Sequence, residues 1–339
     1  MNRPPLLLLY GLDEQTLPVD AAATRRMTGR AEEALLARGW RVAASQVEGD
    51  LGAALAPFGP DQWLVFNLCE GSPQQAFYYA RAARELERRG YAFTGSTAQA
   101  LHRTQSKVSM KRRLEAAGLP TPCWRQVSLA QRLDFQHFPA LVKPAGEHGS
   151  FGITPDSVVT TPAEARAQAQ AVLEGFDGGA IIEEFLDSPE YAISVWGAPG
   201  QLEVLGISVI HYDAFPDLRD RLCTFDAKWL ETSEAYLKTM PVCPAPLEPG
   251  LAAELASLAC AAHEVCGLRD YSRTDVRLRQ GRPMVLDVNS NCDLSETGGF
   301  ANTALAAGWD YGAMLERLAL LAAGRARGAP CAQMKGAAS

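Results

Sequence analysis

Residues Asp275–Leu294 read DVRLRQGRPMVLDVNSNCDL, and the interpretation of the whole chain starts from this stretch. Two runs of alternating or apolar character, DVRLR and PMVLDVNS, flank a predicted turn at Gly281–Arg282. Two strand-like runs joined by a glycine-containing turn predict a β-hairpin, which places Asp275 opposite Asp287. Asp287 and Asn289 share one face of their strand, because side chains alternate with a period of two.

The predicted hairpin brings two carboxylates and one amide to the end of a sheet. Asp275, Asp287 and Asn289 then offer three oxygen donors to one point. Hard oxygen ligands of this kind suit Mg²⁺ or Mn²⁺, and such an ion can also bridge the phosphates of a nucleotide. The residues by themselves leave a second interpretation open, in which the hairpin is solvated and its charged tips bind nothing.

The composition is that of a globular protein with two or three domains. Of the 339 residues, 47% are hydrophobic and 21% are charged. The net charge of −7 argues against a nucleic-acid-binding protein, which is usually basic. No run reaches the roughly 18 apolar residues that a membrane span needs, so we expect no membrane partner.

The N-terminus and the cysteines both favour a cytoplasmic location. The leucine run at 6–9 is too short for a signal sequence and is closely followed by Asp13 and Glu14, so we expect a buried first strand. The eight cysteines are scattered and form no CxxC pair. In a chain of this length that pattern favours reduced thiols.

Strand and helix signals alternate along the first ninety residues. Apolar runs such as LLLLYG and WLVFNL are separated by helical segments that end at glycines, for example Ala21–Arg38 before Gly39. This βαβ pattern predicts a parallel sheet covered by helices. Farther along, a helix is predicted over about 104–117. Residues 211–249 form a long irregular segment with several prolines, and we expect them to form a mobile lid.

The sequence PALVKPAGEHGSFGIT combines an apolar strand, a lysine and a flexible loop. Lys143 lies at the end of the strand, and Gly146, Gly149, Ser150 and Gly152 follow it. Small residues let backbone N–H groups surround phosphate oxygens, and the lysine adds positive charge. The pattern is neither a P-loop nor GxGxxG. A hairpin loop that needs glycines only for its shape is the alternative.

The segment IIEEFLDSPEY is a third candidate. A strand runs into Glu183–Leu186, and Glu190 follows a short turn later. A backbone that leaves a strand can pair with the edge of an adenine, and a carboxylate such as Glu190 can accept both ribose hydroxyls. An ordinary acidic strand end is the alternative. Lys107, early in a helix, and Lys228, within the irregular segment, carry no signal by themselves.

In this order and at these distances, the segments from about Trp63 to Tyr311 resemble the ATP-grasp superfamily, and within it the D-alanine–D-alanine ligase-like group. ALVKP, GSFGI, EEFLDSPE, FDAKW, SRTD and LDVN are similar to successive motifs of that group. Their order carries the resemblance more than any single motif does. It implies an ATP-grasp fold of α/β and α+β domains: an N-terminal parallel α/β domain (1–95), a small central α+β domain (96–178), a C-terminal domain with an antiparallel sheet (179–325) and a flexible tail (326–339).

The resemblance also implies a reaction. ATP would bind between two antiparallel sheets, a substrate carboxylate would attack its γ-phosphate, and an amine would displace phosphate from the acylphosphate to form an amide. Phosphoryl transfer depends on charge neutralisation more than on acid–base groups. The residues implied are Lys107, Lys143, Gly149, Gly152, Glu183, Glu184, Phe185, Leu186 and Glu190 for the nucleotide, Asp275, Asp287 and Asn289 for the metal, and Ser150, Lys228 and Arg273 for catalysis.

The chain departs from the ligases of the group where their second substrate binds. The group has a histidine after its VFN strand, whereas this chain has Glu70. Asp293 stands where the group has a glycine, and Gly298 stands where it has a serine that holds the carboxylate of the second substrate. Together with Glu296, these acidic residues favour a cationic or amine-rich acceptor.

The leading interpretation is therefore an ATP-dependent carboxylate–amine ligase, with small-molecule substrates, that is not D-alanine–D-alanine ligase itself. D-alanine–D-alanine ligase remains an alternative, as do a nucleotide-binding protein without ligase turnover and a phosphotransferase. Asp287 keeps open the alternative of a nucleotide-binding protein without turnover. The group has a glutamate at this position, and a side chain one methylene shorter weakens a metal position. Members of the group often form dimers, so a homodimer is one assembly that the resemblance suggests.

Overall fold

The computed structural model describes residues 3–11, 18–69, 78–128, 133–230 and 232–326. Three four-stranded sheets organise these residues. The first is parallel and the other two are antiparallel. A parallel N-terminal sheet followed by two antiparallel sheets is the arrangement that the resemblance implied.

The N-terminal sheet is parallel, as the alternating strand and helix signals predicted. Its elements are β1 (Leu6–Gly11), α1 (Pro18–Ala37), β2 (Val42–Val47), α2 (Leu51–Leu55), β3 (Leu64–Leu68), α3 (Tyr78–Arg88) and β4 (Ala92–Phe93). The strand order is β2-β1-β3-β4, and the leucine run forms the interior strand β1. All four leucines are 0% exposed. Strands covered by helices on both faces are continuously apolar, which explains this run.

Two helices follow the first sheet where the sequence predicted one. They are α4 (Ala98–Gln105) and α5 (Lys107–Ala116). Ser106 between them has an extended conformation, with φ −83° and ψ 107°, and its side chain accepts a hydrogen bond from the N–H of Ser109. The helix predicted over about 104–117 is confirmed as α5, but it begins at Lys107, because Ser106 caps it, and α4 before it was not predicted. The break makes Lys107 the first residue of α5.

The second sheet is antiparallel and has the strand order β5-β8-β6-β7. Its elements are β5 (Trp124–Val127), β6 (Ala140–Pro144), β7 (Val158–Val159), α6 (Pro162–Gly175) and β8 (Ala180–Glu184). Strand β8 pairs with both β5 and β6. The predicted division between 96–178 and 179–325 therefore separates β8 from the other strands of its sheet. The domain ranges otherwise stay a prediction.

The third sheet is antiparallel and carries the hairpin. The elements from its first strand to the end of the described chain are β9 (Glu190–Ala198), β10 (Gln201–Ile210), α7 (Phe225–Trp229), α8 (Glu234–Lys238), α9 (Pro249–Val265), β11 (Asp270–Arg279), β12 (Arg282–Asn289), α10 (Gly299–Ala306) and α11 (Tyr311–Ala326). The strand order is β10-β9-β11-β12. The predicted tail at 326–339 lies outside the described residues, apart from the end of α11.

The segment 211–249 is less irregular than its sequence predicted. It contains α7 and α8, and its end returns to the third sheet through a bridge between Val209 and Val242. Lys228 lies in α7. The segment thus contains two short helices and is joined to the edge of the third sheet by the bridge at Val242. Lys228 therefore has a defined position in a helix.

The first and third sheets share one hydrophobic core. Trp196 of β9 and Tyr271 of β11 pack in the same cluster as Leu6, Phe66 and Phe300. Aromatic side chains bury large apolar areas and dominate such interfaces. The shared core fixes the end of β12 and the start of α10 against the N-terminal sheet.

Within the described residues, no helix is both long enough and apolar enough to cross a membrane. Each of the seven cysteines that the structure describes is a free thiol.

Candidate active site

The predicted hairpin exists, and its register brings the three oxygen donors together. Asp275 of β11 pairs with Asp287 of β12, and Asn289 lies two residues farther along β12. The turn is formed by Gln280 and Gly281, with φ of 49° and 81°, one residue earlier than the predicted Gly-Arg pair. Two-residue hairpin turns of this type need positive φ at both positions. A β-bulge follows Asp275, and bulges redirect side chains next to functional sites.

Arg273 and Asn289 both bind the Asp275 carboxylate. Arg273 Nε and Nη2 donate to Asp275 Oδ1 and Oδ2 at 2.7 and 2.9 Å, and Asn289 Nδ2 donates to Oδ2 at 2.8 Å. Burial by itself lowers the pKa of Arg273, but the adjacent carboxylate outweighs burial and raises that pKa well above its ordinary value. A bidentate pair of this kind fixes orientation as well as charge. The amide oxygen of Asn289 is left as an acceptor.

Asp287 lies among cations. Lys107 Nζ is 3.4 Å from Asp287 Oδ2, and the N–H of Val288 donates to Oδ1 at 2.9 Å. Burial by itself raises the pKa of Asp287, but Lys107, His148 and Lys143 outweigh burial and hold the pKa well below its usual range. Asp287 is therefore ionised at neutral pH, as a metal-binding carboxylate must be.

Two lysines share one buried glutamate beside this site. Lys143 Nζ of β6 is 2.5 Å from Glu183 Oε1 of β8, and Lys111 Nζ of α5 is 2.7 Å from Oε2. Burial lowers the pKa of Lys111, whereas nearby carboxylates outweigh burial and raise the pKa of Lys143. Lys111 also donates to Thr121 Oγ1 at 2.8 Å. Its place four residues after Lys107, on the same face of one helix, is the sequence signal that indicates it.

Glu184 and Phe185 lie at the end of β8, where adenine was predicted to bind. The N–H of Glu184 donates to the carbonyl of Cys123 at 2.8 Å, and that of Phe185 donates to the carbonyl of Pro139 at 2.9 Å. The Glu184 side chain forms an ion pair with Arg279. These two N–H groups are committed within the protein, so neither is left to pair with the edge of an adenine.

Glu190, the predicted ribose ligand, is bound by Arg277. Arg277 Nε is 3.1 Å from Glu190 Oε2, and the Tyr212 hydroxyl donates to the same oxygen at 3.5 Å. Arg277 Nη1 also donates to the carbonyl of Leu186 at 2.9 Å, and its guanidinium lies 5.2 Å from the ring centre of Phe185. Arg277, which the sequence did not single out, thus ties three predicted nucleotide residues into one cluster.

The glycine-rich loop folds back against segment 211–249. Gly149 and Ser150 both have φ of 66°, and Gly152 has φ of 72°. A Cβ at Gly152 would lie 2.5 Å from an aromatic ring, so the position needs glycine for space as well as for conformation. Ser150 Oγ donates to the carbonyl of Cys223 at 2.7 Å. This hydrogen bond fastens the predicted phosphate loop to the predicted lid.

An open cleft with a cavity volume of about 90 Å³ adjoins these groups. Five predicted residues line it together, namely Gly149, Lys228, Arg273, Asn289 and Asp293. The residues of the lining that the sequence did not single out are Tyr79, Leu101, Gln105, His148, Ser290, Asn291 and Cys292.

Two of these additional residues have polar side chains suited to ligand binding. Burial, and then repulsion from Lys107, lower the pKa of His148 to about 4, so its imidazole is neutral at pH 7. Gln105 is 7% exposed, and its Oε1 has no hydrogen-bond partner among the described residues. Neither belongs to a motif with a characteristic spacing, so no sequence signal indicated them.

The remaining predicted substrate residues have different surroundings. Asp293 lines the cleft, and its carboxylate accepts hydrogen bonds from the N–H and the hydroxyl of Ser295 at 2.8 and 2.9 Å. Glu296 forms an ion pair with Arg30 of α1 at 2.9 Å, and about half of each side chain is exposed. That surface position gives no support to a substrate contact for Glu296. Glu70 lies outside the described residues.

Comparisons with known sequences identify the family of this chain and several of its relatives. The family model described as D-ala D-ala ligase C-terminus matches residues 115–320. The chain is 30% identical over 264 residues to the uncharacterized protein y4sG of Sinorhizobium fredii, a match that covers 76% of this chain and 74% of that protein. It is 31% identical over 245 residues to the D-alanine–D-alanine ligase of Alcanivorax borkumensis, which covers 72% of this chain and 73% of that enzyme.

A comparison with solved structures finds the same fold. The crystal structure of the D-alanine–D-alanine ligase from Bacillus anthracis complexed with ATP matches with a TM-score of 0.74. The match covers 96% of this chain and 99% of that chain, at 17% identity. At this identity the likeness concerns the fold alone.

Proposed function

The chain belongs to the D-alanine–D-alanine ligase family and has the ATP-grasp fold predicted from its sequence, and from this premise we propose its reaction. The family consists of ligases that join a carboxylate to an amine. We propose that this member uses ATP to convert a small carboxylate into an acylphosphate and then transfers the acyl group to an amine. The observation that best supports this proposal is the pairing of Asp275 with Asp287 in the hairpin, with Asn289 two residues farther along β12. Lys107 Nζ lies 3.4 Å from Asp287 Oδ2.

The donor set of the hairpin fits Mg²⁺. Asp275, Asp287 and Asn289 all offer oxygen, the ligand atom that Mg²⁺ prefers. The depressed pKa of Asp287 keeps its carboxylate charged. We assign these three residues to the metal, which when bound neutralises phosphate charge and polarises the γ-phosphate.

The lysines around the hairpin suit the phosphates of ATP. Lys107, Lys111 and Lys143 carry three formal positive charges against the two negative charges of Glu183 and Asp287. The adjoining pair of Arg273 with Asp275 is neutral overall, so the net formal charge is about +1. An incoming polyphosphate therefore meets a positive site in a buried environment, where charge interactions are strong. We call this region the phosphate end of the cleft and include in it Asp275 and Asn289.

The loop and the lid complete the proposed site. The backbone of Gly149–Gly152 would donate N–H groups to the phosphates, and Lys228 of α7 would add charge from the lid side. Their proximity is supported by the hydrogen bond from Ser150 to Cys223. An enclosed site excludes water, which an acylphosphate needs because it hydrolyses readily.

The proposed reaction has two steps, and in each step one bond forms while another breaks. A carboxylate oxygen bonds to the γ-phosphorus while the bond to ADP breaks. The neutral amine then bonds to the acyl carbon, loses a proton to solvent, and the carbon–oxygen bond to phosphate breaks. Arg273 uses Nε and Nη2 to hold Asp275, so the N–H groups on Nη1 are left to stabilise negative charge on the acyl oxygens.

The test is the release of phosphate from Mg-ATP across a panel of carboxylates and amines. Turnover should require one compound of each class, and Asp275→Asn should lose it. Glu203→Gln is the matched control, because it removes an exposed carboxylate from β10 of the same sheet. Phosphate release that needs neither a carboxylate nor an amine would overturn the proposal. So would the absence of turnover with every pair in a protein that binds Mg-ATP.

A further inference from the structure

The cleft continues past the end of β12 toward the N-terminal sheet. Asn289 is the last residue of β12, and the residues that follow lead to α10. Cys292 and Leu294 are buried in the core cluster that the first and third sheets share. Asp293, between them, lines the cleft. We call the region formed by Gln105, Cys292 and Asp293 the acceptor end.

The Asp293 carboxylate is held in one orientation by neutral donors. The N–H of Ser295 donates to Oδ1 at 2.8 Å, and the Ser295 hydroxyl donates to Oδ2 at 2.9 Å. A carboxylate oxygen can accept more than one hydrogen bond. Asp293 therefore keeps acceptor capacity for a ligand in the cleft.

Gly298 is required by the Asp293 side chain. A Cβ at residue 298 would lie 2.7 Å from Asp293 Oδ2 and 3.0 Å from its carbonyl oxygen. The backbone at Gly298 has φ −69° and ψ 158°, which any residue adopts. Space, and not conformation, therefore excludes a side chain. Residues 293 and 298 form one unit, in which a carboxylate takes the room that a side chain at 298 would fill.

Gln105 supplies an independent observation from another element. It is the last residue of α4, it is 7% exposed, and it lines the same cleft. Its Oε1 has no hydrogen-bond partner among the described residues. A buried acceptor without a partner is unfavourable unless a ligand donates to it. The acceptor end thus offers a carboxylate and an amide oxygen, both of which call for N–H donors.

We propose that the acceptor end binds an amine that carries a second positive charge and no carboxylate, that is, a diamine. The inference rests on the proposed ligase reaction and names its second substrate. One amino group reacts as the neutral amine with the acylphosphate and becomes the amide nitrogen. The other stays protonated, pairs with Asp293 and donates to Gln105 Oε1. An amino acid such as D-alanine would instead bring a carboxylate near Asp293, and the two negative charges repel.

The experiment compares 1,4-diaminobutane with butylamine and with D-alanine, which differ in the second charge. Steady-state phosphate release is measured with Mg-ATP and the carboxylate that the panel identifies. We expect kcat/KM for the diamine to exceed that for butylamine by about 10- to 100-fold, the size of one hydrogen bond to a charged group. In Asp293→Asn this preference should disappear, because KM rises more for the diamine than for butylamine.

Two further variants keep the result interpretable. Gln105→Met, on a different element, should also weaken the diamine selectively, whereas Glu296→Gln, which alters only the exposed pair with Arg30, should not. Equal use of butylamine, efficient use of D-alanine, or a diamine preference that survives Asp293→Asn would overturn the inference.

Calorimetric binding of 1,4-diaminobutane in the presence of Mg-ADP separates this inference from the ligase proposal. Binding that needs Asp293 without any turnover would contradict the ligase reaction and leave the diamine site standing. Equal turnover with amines of a single charge would support the ligase reaction and contradict the diamine site. Absence of diamine binding to wild-type protein would overturn the inference directly.

Discussion

At the phosphate end of the cleft the charged side chains are already paired with one another, whereas at the acceptor end polar atoms are left for a ligand. Lys111 and Lys143 share Glu183, and Arg273 binds Asp275 through two hydrogen bonds. Gln105 Oε1, in contrast, has no partner in the described structure. Prior pairing holds charges in place for a chemical step that is common to a family, because preorganised groups need no rearrangement during reaction.

The contrast separates the part of the cleft that resembles the rest of the family from the part that differs from it. The phosphate end contains residues that match the motifs of the family, and its proposed chemistry is correspondingly general. The acceptor end contains Asp293, which packs against Gly298. Both residues depart from those motifs, and each limits the space available to the other. Specificity arises where unpaired groups must be satisfied by the right ligand.

The largest effect should follow from Asp275→Asn, which removes charge at the phosphate end without changing size. We expect kcat to fall by about 10³-fold or more, because electrostatic stabilisation at the phosphates is lost. The free energy of unfolding should also fall, but by less than in Glu183→Gln, because asparagine still accepts one hydrogen bond from Arg273 and this ion pair is less buried. Steady-state ADP formation and a melting curve measure both effects. Undiminished turnover with an unchanged Mg²⁺ dependence would show that Asp275 binds no metal.

Glu183→Gln should be the most destabilising change among these variants, because it leaves Lys111 and Lys143 buried together without a negative charge. Removing one partner from a buried ion pair lowers the free energy of unfolding by about 3–5 kcal/mol. Glu184→Gln, the next residue of β8, affects a more accessible pair with Arg279 and should lower it by about 1 kcal/mol or less. Urea denaturation measures both values. Equal losses of unfolding free energy in the two variants would show that the pairing of Glu183 with the two lysines contributes no special stability.

Gly298→Ala should test the acceptor end in the same terms. The added methyl group meets the Asp293 carboxylate, and overpacking of this kind destabilises by about 1–3 kcal/mol. In an Asp293→Ala background most of that loss should vanish, which a double-mutant cycle detects as a coupling free energy. Gly299→Ala is the matched control, because a Cβ there meets nothing within 4 Å. Additive effects at 293 and 298 would show that the two residues are not one unit.

Ser150→Ala should produce the smallest effect, by releasing the loop of the phosphate end from segment 211–249. The lost hydrogen bond to the carbonyl of Cys223 contributes about 1 kcal/mol, or roughly a fivefold change in the opening equilibrium. Proteolysis within 211–249 should therefore accelerate about fivefold, and Mg-ATP should slow it in both proteins. Ser45→Ala, which loses a similar bond in the first sheet, should leave the cleavage rate unchanged. Equal cleavage rates in all three proteins would show that the Ser150 bond does not hold this segment, and equal rates with and without Mg-ATP would show that the segment is not a lid.

Much of the phosphate end was predictable because its geometry is local. The alternation along β11 and β12 and the short turn between them determine which residues face each other, so the pairing of Asp275 with Asp287 was predicted correctly. The parallel first sheet followed from strand and helix signals in the same way. The turn was misplaced by one residue, because Gln280 adopts a positive φ that glutamine rarely takes.

The remainder depends on contacts between distant segments. Glu183 meets Lys111 and Lys143 only because α5, β6 and β8 pack together, and no spacing along the chain reports that meeting. The closeness of Asp293 to Gly298 likewise needs the loop before α10 to be built. The end of α4 at Gln105 was missed because Ser106 interrupts what reads as one continuous helix.

The transfer of oxygen from the substrate carboxylate to phosphate tests the central claim most directly. The enzyme would be supplied with Mg-ATP, an amine, and a carboxylate labelled with ¹⁸O at both oxygens, and the released phosphate would be analysed by mass spectrometry. Acyl phosphorylation at the phosphate end predicts one ¹⁸O in each phosphate released and one in the amide. Unlabelled phosphate, or label recovered in AMP, would contradict it.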